Sequence, residues 1–124
     1  MEDLKYIISK LDESFFGKSL SFLKTRNSFN KIYKEYKEKQ ESSDQVYNLL
    51  YPLKNYFEES YKILNGKYSS KEEKEEILYG FLDNTEMVVL FWTDNFDDFE
   101  ILMKGLNPLH RKFKYLRKNY KNFS

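Results

Sequence analysis

The chain has 124 residues, of which 40% are hydrophobic and 33% charged, with a formal net charge of +1. This length and balance are typical of one globular domain and exclude an intrinsically disordered chain. The absence of cysteine excludes a disulfide framework and any cysteine-based nucleophile or metal site.

The first half predicts two helices. The first, Glu2–Phe16, has an apolar stripe at helical spacing formed by Leu4, Ile7, Ile8, Leu11 and Phe15. Gly17 is expected to end it, because glycine tolerates the positive φ of many helix ends. The second helix is predicted over residues 19–40, with Leu20, Leu23, Phe29, Ile32, Tyr33 and Tyr36 pointing inward.

The middle of the chain predicts two longer helices. One covers residues 44–64, and Pro52 inside it predicts a kink or a break. The next begins with a capping box at Ser70 and Glu73 and continues through Trp92. Because its residues are the most hydrophobic of the chain, we expect it to be the central helix. Gly80 lies within it, where a small side chain would permit close helix approach.

The last part predicts a short helix ending at Gly105 and a longer final helix. Asn107 and Pro108 form a strong start signal, an N-cap followed by proline at the first helical position. Apolar residues then recur at alternating spacings of three and four: Leu106, Leu109, Phe113, Leu116, Tyr120 and Phe123. The sequence therefore predicts an all-α single domain over residues 1–124, an irregular bundle of five or six helices.

Charge is divided sharply between two adjacent blocks. Residues 75–103 contain eight acidic residues and no lysine or arginine, whereas residues 104–124 contain seven basic residues and no aspartate or glutamate. Such segregation concerns partners and the electrostatic field, not the fold. Much of the acidic block is explained by helix N-termini, where carboxylates are favourable. The basic block has no such local explanation.

Catalytic and metal-binding patterns are not found. His110 is interpreted as a surface histidine, since no second histidine or acid–base partner accompanies it in the sequence. The acidic run 94–100 fails the EF-hand pattern, because Phe99 stands where glycine is required. We interpret it as capping, with Asp94 or Asn95 as N-cap and Asp97 and Asp98 in the first turn. We therefore expect a non-enzymatic protein without cofactor or metal.

The basic residues of the last helix form the candidate binding site. The candidate partner-binding residues are Arg111, Lys112, Lys114, Tyr115, Arg117, Lys118 and Lys121. Three interpretations are open: the acidic and basic helices pair within the molecule, the basic ridge docks on a protein partner, or it binds nucleic acid. In the last case Lys18, Lys24, Arg26 and Lys31 of the second helix would extend the basic face.

Composition also indicates a source and a location. The chain lacks alanine and is rich in lysine, asparagine, isoleucine, tyrosine and phenylalanine, which is typical of a low-GC genome, a bacterium or its phage. Its acidic start contains no apolar run, so we expect no signal peptide and a cytoplasmic location. No uncharged stretch approaches the roughly 20 residues that cross a bilayer, so no membrane association is expected.

Three segments of the second half carry a family resemblance. They are residues 55–64 with an aromatic pair, residues 77–92 with a glutamate before an apolar run ending in Phe-Trp, and residues 112–120, Lys-Phe-Lys-Tyr-Leu-Arg-Lys-Asn-Tyr. Their order and spacing resemble the C-terminal region of the phage abortive-infection protein family of bacteria. The resemblance implies a role in phage–host conflict. We therefore expect a macromolecule-binding module, either a defence component or a phage-encoded inhibitor of a host defence, with nucleic-acid binding through the last helix as the alternative.

Overall fold

A computed structural model describes residues 2–17, 21–38, 44–66, 69–94 and 98–123, and all regular elements in these ranges are helical. The α-helices in chain order are α1 (Glu2–Phe16), α2 (Phe22–Glu38), α3 (Asp44–Leu64), α4 (Lys71–Asp94), α5 (Phe99–Ile101) and α6 (Asn107–Lys118). A π-helical segment (Leu102–Leu106) joins α5 to α6, and a 3-10 helix (Tyr120–Phe123) follows. The predicted all-α bundle is confirmed. None of the described helices is long and apolar enough to cross a lipid bilayer.

A cluster of buried phenylalanine rings forms the centre of the bundle. The Phe15 ring of α1 lies 4.7 Å from Phe113 of α6 and 5.6 Å from Phe57 of α3, centroid to centroid. The rings of Phe57 and Phe81 of α4 are 4.7 Å apart. Phe123 of the 3-10 helix is fully buried and stacks on Phe15 at 6.2 Å. Such ring pairs contribute about 0.5–1.5 kcal/mol each beyond the burial of their area.

Most of the predicted apolar stripes are confirmed as core. The described stripe residues of α1 are buried: Ile7, Ile8, Leu11 and Phe15. The seam of the last helix is buried at Leu106, Leu109, Phe113, Leu116 and Phe123, while Tyr120 is half-buried. The period of three to four residues thus identifies the core side of these helices correctly.

The prediction for α2 is wrong at its beginning. The helix starts at Phe22, where the Lys24 N–H donates to the Ser21 hydroxyl at 3.3 Å. Leu23 was expected to face inward but is 53% exposed, and Phe22 is buried instead. The inward positions are Phe22, Thr25, Phe29 and Ile32. Because Thr25 is polar, the apolar pattern of the sequence includes Leu23 in the inward stripe instead. Leu20 lies outside the described residues.

Helix α4 lies between α3 and α6, in agreement with its predicted central position. Its first turn has the expected cap, since the Glu73 N–H donates to the Ser70 hydroxyl at 3.1 Å. Its buried residues include two polar ones, Thr85 and Glu86. The Thr85 hydroxyl donates to the Phe81 carbonyl at 2.8 Å, so this buried hydroxyl has a hydrogen-bond partner within α4.

Pro52 does not break α3, which runs without interruption from Asp44 to Leu64. Proline removes the hydrogen bond that would reach the carbonyl four residues earlier. That carbonyl belongs to Asn48, which is exposed. Water can therefore satisfy it, so the helix continues through the proline.

The predicted boundary between the last two helices is also different in the structure. Asn107 has helical backbone angles, φ −64° and ψ −46°, and no N-cap side chain stands before α6. The Asn107 N–H instead donates to the Leu102 carbonyl, five residues back. The π segment thus carries the helix across Pro108, whose ring would clash with the carbonyl four residues earlier in a regular α-helix.

Gly17 directly follows the end of α1 at Phe16, as predicted, but its backbone conformation and the role of Gly80 differ from the predictions. No described glycine has a positive φ, so the expected backbone conformation of Gly17 is wrong. A side chain at Gly17 would instead overlap with the Glu13 carbonyl oxygen, to which the Gly17 N–H donates at 3.0 Å. A Cβ at Gly80 would meet no atom within 4 Å. Gly80 therefore does not permit a close helix approach.

We predict that Gly80→Ala stabilises the protein by about 1 kcal/mol, because alanine is the better residue in a helix interior and the space for its methyl group is open. For a chain of this size the melting temperature should rise by roughly 3–6 °C, measured by circular dichroism. Gly17→Ala is the matched control and should destabilise. A lower melting temperature for Gly80→Ala would show that the position is crowded.

Candidate binding face on the last helix

Helix α6 has two different sides. Leu109, Phe113 and Leu116 bury one side against the core. The opposite side is an exposed row at positions i, i+3, i+4 and i+7, which we call the outer stripe: Arg111, Lys114, Tyr115 and Lys118. Tyr115 is 71% exposed, although tyrosine is a large and partly apolar residue. Because Leu109, Phe113 and Leu116 pack in the core, the outer stripe is held on the opposite side of α6.

The cations of the outer stripe have no neutralising partner in the described part of the chain. Arg111, Lys114 and Lys118 make no ion pair or side-chain hydrogen bond there. The stripe contains no acidic residue. Three positive charges therefore flank one exposed aromatic ring along two turns of helix.

Arg117, another predicted binding residue, faces α4 instead. Its Nε donates to the carboxylate of Glu86, and its Nη1 donates to the Tyr79 hydroxyl at 3.2 Å. Asp83 adds a second carboxylate at 3.8 Å. The hydrogen bonds to Glu86 and Tyr79 raise the pKa of Arg117 further above its ordinary value. Arg117 thus joins the two oppositely charged helices and does not belong to the outer stripe.

His110 lies in the same interface, so the prediction of a surface histidine is wrong. Its side chain is only 22% exposed, and its Nε2 lies 3.6 Å from Oε1 of Glu86. The Nε2 atom is buried and has no hydrogen-bond partner among the described residues. Glu86 therefore lies between Arg117 and His110. The internal pairing of acidic and basic helices, one of the three interpretations, is present at this point.

Lys112 and Lys121 complete the predicted set. The Lys112 ammonium lies 2.7 Å from the Asp12 carboxylate and 5.8 Å from the centre of the Phe16 ring, so Lys112 connects α6 to α1. Lys121 is exposed on the 3-10 helix beyond α6. The structure thus brings Arg111, Lys114, Tyr115 and Lys118 into one row on α6, whereas Arg117 is directed to α4 and Lys112 is paired with α1.

Two residues that the sequence analysis missed lie beside this row. Phe16 and Pro108 line a shallow notch of about 510 Å³ together with Arg111, Lys112 and Tyr115. Phe16 ends α1, far away in sequence. Only the packing of α1 on α6 brings it here, so no local pattern could have identified it.

The acidic block is partly explained by capping. Asp98 is the N-cap of α5, and its Oδ1 accepts the Ile101 N–H at 3.1 Å. Asp94, a predicted N-cap, is instead the last residue of α4. The other two predicted capping residues, Asn95 and Asp97, lie outside the described residues. Among the residues that are described, no group of three or more histidines or carboxylates is placed to hold a metal ion.

Arg26, one of the basic residues proposed to extend the basic face, belongs to the packing of α2 on α3. Arg26 is directed to α3, where its Nη2 donates to Glu58 at 3.1 Å and its guanidinium lies 3.9 Å from the centre of the Tyr61 ring. Lys24 and Lys31 are exposed on α2, and Lys18 lies outside the described residues. Arg26 is therefore part of the helix packing.

The neighbouring cations and burial shift the pKa of the Glu58 carboxyl. Burial raises the pKa of its carboxyl, but Lys54, 3.1 Å away, and Arg26 outweigh burial, so that the pKa is lowered below 4.5. Because folding lowers the pKa of Glu58, these ion pairs contribute fully to the stability of the fold above pH 4.5. Their contribution is lost as the pH falls through the pKa that Glu58 has in the folded state.

We predict that Glu58→Gln reduces the loss of stability on acidification, since glutamine does not titrate. Urea unfolding near neutral pH and at roughly pH 3 measures this loss. Glu59→Gln, at the exposed neighbouring position, is the control and should keep the wild-type difference. An unchanged difference in Glu58→Gln would contradict the ion-pair account.

We predict that Arg117→Met destabilises the fold by about 2 kcal/mol, because it leaves the buried Glu86 carboxylate without its main partner. Lys118→Met, one position along and exposed, should change the free energy of unfolding by less than about 0.5 kcal/mol. The double variant Arg117→Met/Glu86→Gln should recover part of the loss. Equal effects of the two single methionine variants would show that the α4–α6 ion pair is not structural.

Comparison with known proteins gives no match to this chain: neither a family model, nor a curated protein sequence, nor a solved structure matches it. The resemblance to the abortive-infection family therefore stays a prediction from the sequence.

Proposed function

We propose that the protein is a non-enzymatic binding module that docks on an acidic surface of another protein through the outer stripe of α6. The observation that carries this proposal is the row of three cations around the exposed Tyr115, none of which has an ion-pair partner in the described part of the chain. Tyrosine and arginine are enriched in protein interfaces, where tyrosine supplies contact area with few rotatable bonds.

The internal ion pairs give the stripe a fixed orientation. Arg117 holds α6 to α4, and Lys112 holds it to α1. Binding therefore requires little ordering of the backbone, which keeps the entropic cost of association low. Charges at the rim of an interface mainly raise the association rate and select the partner.

Nucleic acid is the less favoured partner. With Lys112, Arg117 and Arg26 each paired to a carboxylate, the stripe itself offers three cations. Neutralising about three phosphates gives a salt dependence with a slope of about −3, below that of strong DNA-binding proteins. We therefore expect a protein partner, and the capture experiment below distinguishes it from nucleic acid.

The biological setting we propose is phage–host conflict, as a defence component or a phage-encoded inhibitor of a host defence. The support is the family resemblance, whose third segment, residues 112–120, contains Lys114, Tyr115 and Lys118. Plaque counts on bacteria with and without the gene test this setting. Equal plaque counts with and without the gene, across a panel of phages and also in hosts that carry defence systems, would contradict this setting.

We predict that the triple variant Arg111→Glu/Lys114→Glu/Lys118→Glu loses partner capture from a bacterial host lysate but keeps the wild-type melting temperature, because all three residues are exposed. The matched control reverses three exposed lysines elsewhere, Lys24, Lys31 and Lys62, with the same change in net charge. It should retain capture.

Two results would overturn the docking proposal. One is equal capture by both triple variants, which would place the interface elsewhere. The other is capture that disappears on nuclease treatment, with a shift of single- or double-stranded DNA or RNA probes at low salt that weakens steeply as salt is added. The second result would assign the stripe to nucleic acid.

A further inference from the structure

The notch beside the outer stripe has a chemistry of its own. Its apolar lining consists of Phe16, Pro108 and the exposed ring of Tyr115. The Phe16 ring is held by an edge contact with Phe113, centroids 5.0 Å apart. Pro108 has no N–H to hydrate and a rigid ring. The notch is therefore a shallow, open depression whose surface is mainly apolar.

The rim of the notch is positively charged. Arg111 is unpaired within the described residues, and Lys112, although paired with Asp12, still lines the opening. Lys114 and Lys118 continue the charge along the helix. From residue 111 to residue 118 the rise is about 10 Å. A bound segment thus meets cations over two helical turns, on the same helix as the apolar wall.

We infer that the partner presents an acidic segment with one large aromatic or branched aliphatic side chain, which enters the notch while carboxylates pair with Arg111, Lys114 and Lys118. This inference rests on the proposed function. Charge complementarity selects the segment, because a basic segment would be repelled by the rim. The apolar side chain fixes its position, in the manner of an anchor in an interface pocket.

Short fluorescein-labelled peptides test this inference by anisotropy at low salt. The first has glutamates and aspartates around a central phenylalanine, the second has alanine instead of phenylalanine, and the third has lysines instead of the acids. The wild-type protein should bind the first about tenfold more tightly than the second, through burial of the ring. It should not bind the third.

Variants assign the effect to the notch. Tyr115→Ala should remove the difference between the phenylalanine and alanine peptides, and Tyr115→Phe should retain it. Phe99→Ala is the matched control, since Phe99 is 75% exposed and lies off α6. It should behave as wild type. Because Tyr115 is so exposed, none of these changes should lower the melting temperature by more than a few degrees.

The failure of this inference can be separated from failure of the proposed function. If both acidic peptides bind equally and lose binding in the triple charge-reversal variant, docking by charge stands and the anchor is overturned. If no acidic peptide binds, the acidic-segment partner is overturned, and the capture experiment decides on the stripe itself. If Phe99→Ala abolishes the discrimination as Tyr115→Ala does, the notch is the wrong place.

Discussion

Packing around Phe15 is the contact on which the other features depend. Its ring touches those of α3, α4 and α6 and the 3-10 helix at once, so that the first helix of the chain is joined to the last. Together with the Phe16–Phe113 ring pair, it places α1 beside α6, where Phe16 lies near Pro108 and Asp12 pairs with Lys112. The notch and the Lys112 ion pair are therefore products of the aromatic core.

The opposite charges of α4 and α6 serve two purposes in the structure. Where the helices face each other, Glu86 is buried and paired with Arg117, and the arrangement specifies how the two helices align. The ring contact between Tyr79 and Tyr120, at 5.3 Å, continues this alignment towards the end of the chain. Away from the contact, Arg111, Lys114 and Lys118 of α6 have no ion-pair partner among the described residues. The basic residues of α6 thus supply both an ion pair that joins two helices and a candidate binding surface.

The sequence predicts the buried sides of α1 and α6 well, because their apolar residues follow one period without interruption. It fails where a polar residue belongs to the buried side, as with Thr25 in α2, or where the helix period changes, as before Asn107. It does not separate Arg117 from Lys118, since both lie off the apolar seam and only the position of α4 decides between them. The notch was not predictable, because Phe16 and Tyr115 come together only through the tertiary fold. The binding role of the outer stripe stays a prediction.

The π segment determines which residues of α6 face outward. An α-helix turns by about 100° per residue, so the one extra residue in this turn rotates the whole of α6 relative to α5. If the helix reverted to a regular α form, the stripe that carries Tyr115 would rotate towards the protein and hydrophobic seam residues would rotate towards solvent. The hydrogen bond from the Asn107 N–H to the Leu102 carbonyl marks this register. The rotation of α6 about its own axis therefore decides which of its sides is buried in the core and which carries the outer stripe.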